Sequence, residues 1–200
     1  GAGLDYQTYA LLIMELAETC QVMGAAASWA SGVGGISVLN FGTEEQKQRY
    51  LVPLAKGDGP VAIALTESHT GSDVASMKTR AVRDDDHYVL NGSKTWISMV
   101  GSCKWILTFA TLDAAAARKG ITAFLLEPDW PGITRTPFKN KVGFRPMETG
   151  ELVLDNVRVA LLAHDGGSFA FWRSSRALDR YTARPKRAKR AQTKHRSGKS

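Results

Sequence analysis

Gly57-Asp58-Gly59-Pro60 separates two stretches of this chain whose hydrophobic patterns cannot share one kind of secondary structure. Upstream the pattern is helical: Tyr9, Leu12, Ile13 and Leu16 recur at one helix face, with Glu15 and Glu18 available for the wet side. Cys20 to Leu39 is crowded with Ala, Gly and Ser, which lets another helix approach closely while its internal glycines weaken it as a helix. Thr43 followed three residues later by Gln46 is a capping-box signature for a helix carrying Tyr50, Leu51 and Leu54. The Gly-Asp-Gly-Pro run then stops it.

Downstream the period shortens. Val61–Leu65, Met77–Val82, His87–Asn91, Lys94–Val100, Trp105–Thr111, Ile121–Glu127, Ile133–Pro137 and Glu151–Leu154 all read as short strands. Turn signals separate several of them: Asp84-Asp85-Asp86, Asn91-Gly92 and Pro131-Gly132. Asn91-Gly92 is the strongest hairpin signal, because both residues tolerate positive φ. Asp113–Lys119, polar and Ala-rich, reads as a loop or one helical turn. Many strands at short spacing without helices between them imply an antiparallel barrel or sandwich. The fold class is therefore α+β, a helical segment packed on an antiparallel β-barrel or sandwich domain.

Charge divides the chain a second time. From Arg173 onward eleven Lys or Arg face the single Asp179, a net of +10, whereas the preceding residues carry a net of −3. The tail has too little aliphatic content to bury itself and reads as disordered. Its clustered cations could also bind nucleic acid or a membrane surface. No run is long and apolar enough to span a bilayer, and no secretory signal pattern opens the chain. Cys20 and Cys103 lack metal-ligand spacing and read as buried thiols in a reducing compartment.

Two motifs carry the chemistry. Leu65-Thr66-Glu67-Ser68-His69-Thr70-Gly71-Ser72-Asp73 leaves a strand for a hydroxyl-rich loop. Such a loop suits an anion or the polar edge of a cofactor, although ordinary turns use the same residues. About twenty-five residues on stands Asn91-Gly92-Ser93-Lys94-Thr95-Trp96-Ile97-Ser98. Together they resemble the acyl-CoA dehydrogenase family, whose middle domain has a T-E-x-x-x-G-S-D loop followed by an N-G-x-K-x-W-I-T/S strand. Gly42–Lys47 and Gly150–Val159 resemble it too, and the likeness runs over roughly residues 1 to 171.

The resemblance implies three regions: a partial N-terminal helical domain (1–59), a flavin- and acyl-CoA-binding β domain (60–159), and a degraded linker with a basic tail (160–200). It implies an FAD-dependent oxidoreductase that transfers the β-hydride of an acyl-CoA thioester to flavin N5. Leu65 and Thr66 would meet the pyrimidine end of the flavin, and Gly71 and Ser72 its pyrophosphate, with Ser72 also near substrate phosphates. Trp96 would pack on the isoalloxazine, or else be a barrel-core aromatic. Ser98 would donate to N5, or else face solvent on its strand. His69 reads as a loop residue, since no carboxylate partner can be identified from the sequence.

The family's catalytic Glu lies on a C-terminal four-helix domain that is not recognisable here. No residue is assigned as catalytic base and the chain by itself is expected to be inactive. No metal is expected. The implied partners are an acyl-CoA substrate, an electron-transfer flavoprotein, and further copies in a homodimer or homotetramer. The implied location is the cytoplasm, or the mitochondrial matrix in a eukaryote. Two rival readings stand beside this one. An acyl-CoA oxidase or flavin monooxygenase would share the fold, and a non-enzymatic module would bind nucleic acid through the basic tail.

Overall fold

The computed structural model describes residues 3–29, 32, 34–160 and 170–173. The expected linker and basic tail therefore lie outside the described residues, except Ala160 and 170–173. Three helices come first: α1 (Tyr6–Thr19), α2 (Gln21–Trp29) and α3 (Gly35–Phe41). Asp5 caps α1 by accepting from the Thr8 N–H at 2.8 Å. Gly24 lets α2 lie against α1, since a Cβ there would stand 2.9 Å from the Ala17 Cβ.

A continuous helical run follows in three parts: α4 (Glu44–Gln46), a π-helical turn (Lys47–Leu51) and α5 (Val52–Lys56). The capping box forms as expected. Thr43 Oγ1 accepts from Gln46 N at 3.2 Å, and Gln46 Oε1 accepts from Thr43 N at 2.8 Å. The wide turn precedes Pro53, whose missing N–H and ring exclude an ordinary i−4 hydrogen bond, and Val52 N reaches back to Lys47 O instead. Gly57, at φ +84, ends the run in the left-handed conformation that glycine adopts without penalty.

Eight strands make one curled sheet among the described residues: β1 (Val61–Ala64), β2 (Arg80–Asp84), β3 (His87–Ser98), β4 (Trp105–Thr111), β5 (Ile121–Leu126), β6 (Ile133–Pro137), β7 (Thr149–Ala160) and β8 (Ala170–Arg173). Their order is β6-β7-β3-β2-β4-β5-β8, with β1 paired to β4. Most pairings are antiparallel, as expected, while β1–β4 and a single β2–β4 bridge are parallel. Asp113 caps a 3₁₀ segment at Ala114–Gly120, kinked at Ala117, where the sequence predicts a loop or one helical turn between β4 and β5.

Apolar residues from the two faces of the sheet build two cores. Ile106, Ala110, Phe124, Leu126, Leu152 and Leu154 lie in the cluster inside the curl. Trp105, Leu107, Ala123 and Leu125 face outward and are covered by Val38 and Tyr50 from the helices. Because both faces of β5 are covered, all six of its residues are buried and its sequence shows no polar alternation.

The hairpin expected at Asn91-Gly92 is not there. Both residues lie inside the twelve-residue strand β3, and the hairpin instead turns at Asp85-Asp86 between β2 and β3. What the dipeptide supplies is a bulge. The β3–β7 register slips between Leu90 and Gly92, where β7 has one residue too many. Asn156, at φ +52, lies in that excess, and the Asn91 side chain accepts its N–H at 2.9 Å. Gly92, at φ +151, passes so close to Thr79 that a Cβ would stand 2.7 Å from the Thr79 Cα.

Candidate functional site

The two sequence motifs meet, and what joins them is a buried ion pair. Glu67 and Lys94 have side chains only 3% and 0% exposed, with Lys94 Nζ 2.8 Å from Glu67 Oε1. The same ammonium donates to the Leu65 carbonyl at 3.1 Å. Glu67 also accepts from the backbone N–H groups of Lys78 at 2.7 Å and Thr79 at 2.9 Å. Three donors converge on one carboxylate, which satisfies a charge that burial would otherwise make very costly.

Burial alone would push the Glu67 carboxyl upward. The Lys94 ammonium and the two backbone donors outweigh it and hold the group down at about 2. Burial pulls Lys94 below the ordinary lysine value, with Glu67 opposing. The pair is a clamp, made of two residues to which the sequence reading gave no part. Strand parity is the signal that would have found Lys94: it lies four residues after Leu90, on the same face, and Leu90 is fully buried.

The clamp sets the neighbouring backbone. Thr95 N donates to Thr66 O at 2.9 Å, so Leu65 and Thr66 run alongside Lys94, Thr95 and Trp96. Glu67 and Thr70 exchange backbone hydrogen bonds at 2.9 and 3.2 Å, closing the loop. Gly71 then comes back against Thr66, whose Cγ2 would be 4.0 Å from a Cβ on the glycine. Ser72 is exposed beside it. Five of the six expected cofactor contacts, Leu65, Thr66, Gly71, Ser72 and Trp96, thus lie along one seam.

Trp96 is no barrel-core aromatic. Its side chain is 68% exposed, and its backbone sits at φ +61, a conformation that bulky residues rarely adopt. It occupies a second bulge, between Lys94 and Ile97, where β3 has one residue too many against β7. Phe138 meets the indole edge-on, with ring centroids 5.1 Å apart and planes at 71°. Ser98, two residues on, is half-buried and pairs with Thr149.

The turn after Ser98 is held from two sides. Arg135 donates to the carbonyls of Val100 at 3.3 Å and Gly101 at 3.0 Å, and Met99 N donates to Glu148 O at 2.9 Å. The Glu148 carboxylate lies over Gly101, with its Oε1 buried and without a hydrogen-bond partner. It lines an open cavity of about 360 Å³ together with Phe138, Asn140, Lys141 and Arg145. Lys141 braces this loop by donating to Phe144 O, Met147 O and Thr149 Oγ1. Cys103 is buried, which pushes its thiol up to about 11 and leaves it inert. Among the described residues no group of His, Cys, Asp or Glu is placed to hold a metal ion, and no helix is long and apolar enough to cross a membrane.

Comparison with known proteins identifies the family. The profile of the acyl-CoA dehydrogenase middle domain matches residues 62–157, and that of the acyl-CoA dehydrogenase N-terminal domain matches residues 1–58. An acyl-CoA dehydrogenase of Bacillus subtilis (strain 168) is 40% identical over 172 residues, covering 84% of this chain and 45% of the relative. A short-chain specific acyl-CoA dehydrogenase of Clostridium acetobutylicum is 39% identical, covering 80% of this chain and 42% of the relative. The glutaryl-CoA dehydrogenase of Mycobacterium smegmatis, crystallised in complex with FADH2, superposes with a TM-score of 0.74 at 36% identity, covering 80% of this chain and 40% of that one. The chain thus spans less than half the length of the curated relatives it matches.

Proposed function

The chain belongs to the acyl-CoA dehydrogenase family, and we propose that its clamped loop and strand form the flavin-facing part of an FAD-dependent oxidoreductase acting on acyl-CoA thioesters. The observation that carries this reading is Trp96. A large apolar ring left exposed on a left-handed backbone position is costly unless something flat covers it. An isoalloxazine ring is such a cover. The Thr66 hydroxyl and the open face of Gly71 on the same seam suit the polar edge and phosphate arm of the same ligand.

The bound flavin would supply the hydride acceptor, and everything else falls to the residues of this chain. Trp96 would present its indole to the ring, buttressed by Phe138. Leu65 and Thr66 would meet the pyrimidine end through backbone groups and the threonine hydroxyl. Gly71 and Ser72 would approach the pyrophosphate, and Ser72 the phosphates of a CoA substrate. Ser98 would offer a donor at N5, its backbone fixed by the grip of Arg135 on the following turn. The Glu67–Lys94 clamp takes no part in the chemistry. It keeps the loop and strand at the spacing the ligand needs.

An electron-transfer flavoprotein as acceptor, a homodimeric or homotetrameric assembly and a cytoplasmic or mitochondrial-matrix location belong to the same proposal. The test is a titration of FAD into the chain, followed by flavin fluorescence and visible absorbance. Saturable binding, weakened about 3- to 10-fold by Trp96→Ala, is expected from the loss of one aromatic contact. Absence of saturable binding, or binding indifferent to that exposed residue, would overturn the reading.

A further inference from the structure

The loop from Glu67 to Asp73 contains no proline and a single glycine, so its shape must come from side chains. Thr70 Oγ1 donates to Asp73 O at 2.5 Å, and the Ser76 hydroxyl donates to the Asp73 carboxylate. His69 makes the remaining tie. Its Nε2 lies 3.3 Å from Ser76 O and 3.5 Å from Glu67 Oε2, bridging the tip of the loop to the turn at Val74–Ser76 and to the buried clamp. The carboxylate partner that the sequence could not identify for this histidine is thus Glu67, two residues away.

The chemistry of the fork follows from its acceptors. A carbonyl oxygen accepts only, so Nε2 carries the hydrogen that faces Ser76 O, with Glu67 Oε2 a second acceptor beside it. Glu67 is held ionised far below neutral pH by its three donors. Those donors do not include His69: Lys94 and the Thr79 N–H hold Oε1, and the Lys78 N–H holds Oε2. The histidine therefore acts on the loop and not on the clamp, and its tie should change loop protection by about 2- to 10-fold, as a single hydrogen bond does.

We propose that His69 is a positioning residue that braces the loop carrying Gly71 and Ser72 by tying its tip to Ser76 O and Glu67. The functional consequence rests on the flavin reading above. The brace does not, and it can be measured without any ligand.

Amide hydrogen exchange over residues 68–73 in the ligand-free chain is the direct test. His69→Ala should lower protection about 2- to 10-fold relative to the wild type. His69→Gln keeps a donor for Ser76 O and should restore most of that loss. Equal protection in all three chains, or a His69→Gln chain as poorly protected as His69→Ala, overturns the brace. FAD should bind His69→Ala more weakly than the wild type by about the same factor, and His69→Gln nearly as tightly as the wild type. The protection pattern without FAD binding would uphold the brace and sink the flavin reading alone.

Discussion

Two ion pairs tie separate segments of this sheet at almost the same distance: Lys94–Glu67 at 2.8 Å and Arg158–Asp84 at 2.7 Å. The first has side chains 0% and 3% exposed; the second, 56% and 49%. Distance therefore says little about what either contributes. In the exposed pair water competes for both charges and salt screens them. In the buried pair each charge depends on the other, and three backbone groups depend on one or the other: Leu65 O on Lys94, and Lys78 N and Thr79 N on Glu67. The buried pair is thus a commitment of the loop's geometry, where the exposed one is an option.

Removing one partner tests this most severely. Lys94→Met leaves a carboxylate buried with its cation gone, and should cost about 3–5 kcal/mol in denaturant unfolding. Acid is the next lever. The Glu67 carboxyl, held at about 2 in the folded chain against an ordinary 4.5, contributes stability that is fully present above pH 4.5. That contribution is lost as pH falls from 4.5 toward 2, and amounts to roughly 3 kcal/mol at about 1.4 kcal/mol per unit. An acid transition unmoved by Glu67→Gln would show that the pair is not the sensitive group.

Replacing both charges, Glu67→Leu with Lys94→Met, should cost less than Lys94→Met alone. It should still leave a deficit of about 1–3 kcal/mol, because the N–H groups of Lys78 and Thr79 lose their acceptor. Asp84→Asn should change stability by about 1 kcal/mol or less, and by less still in 1 M salt. If the surface variant proved as damaging as the buried one, the comparison would fail.

Much of this molecule was legible in its sequence because local and tertiary preferences agree. Thr43 and Gln46 form the capping box they spell, and Ile133–Pro137 and Trp105–Thr111 are strands over the residues expected. Asp85 and Asp86 turn the hairpin that the acidic run signalled. Asn91-Gly92 misled because one dipeptide suits two structures. Positive φ at Gly92 and the short amide of Asn91 serve a bulge as well as a turn, and only the contact with Thr79 decides. Lys94 and Trp96 inverted the usual expectation, with the cation inside and the indole outside. Trp96 lies outside because it sits in the bulge between Lys94 and Ile97, which is defined only against β7, some fifty residues later in the chain.

That pair of bulges behaves like a frameshift and its suppressor. The extra residue in β7 near Asn156 throws the pairing with β3 out of step after Leu90, and the extra residue in β3 at Trp96 restores it before Ile97. Before the second bulge the even-numbered Leu90 and Lys94 point inward; beyond it, the odd-numbered Ile97 does. A one-residue deletion at Trp96 would place Ile97 two residues after Lys94, still inward and still opposite Gly150, but would erase the second bulge and the exposed ring with it. Deletions at Trp96 and Asn156 together would leave an unbroken ladder without the exposed ring, a chain that a folding screen would pass and a ligand screen would not.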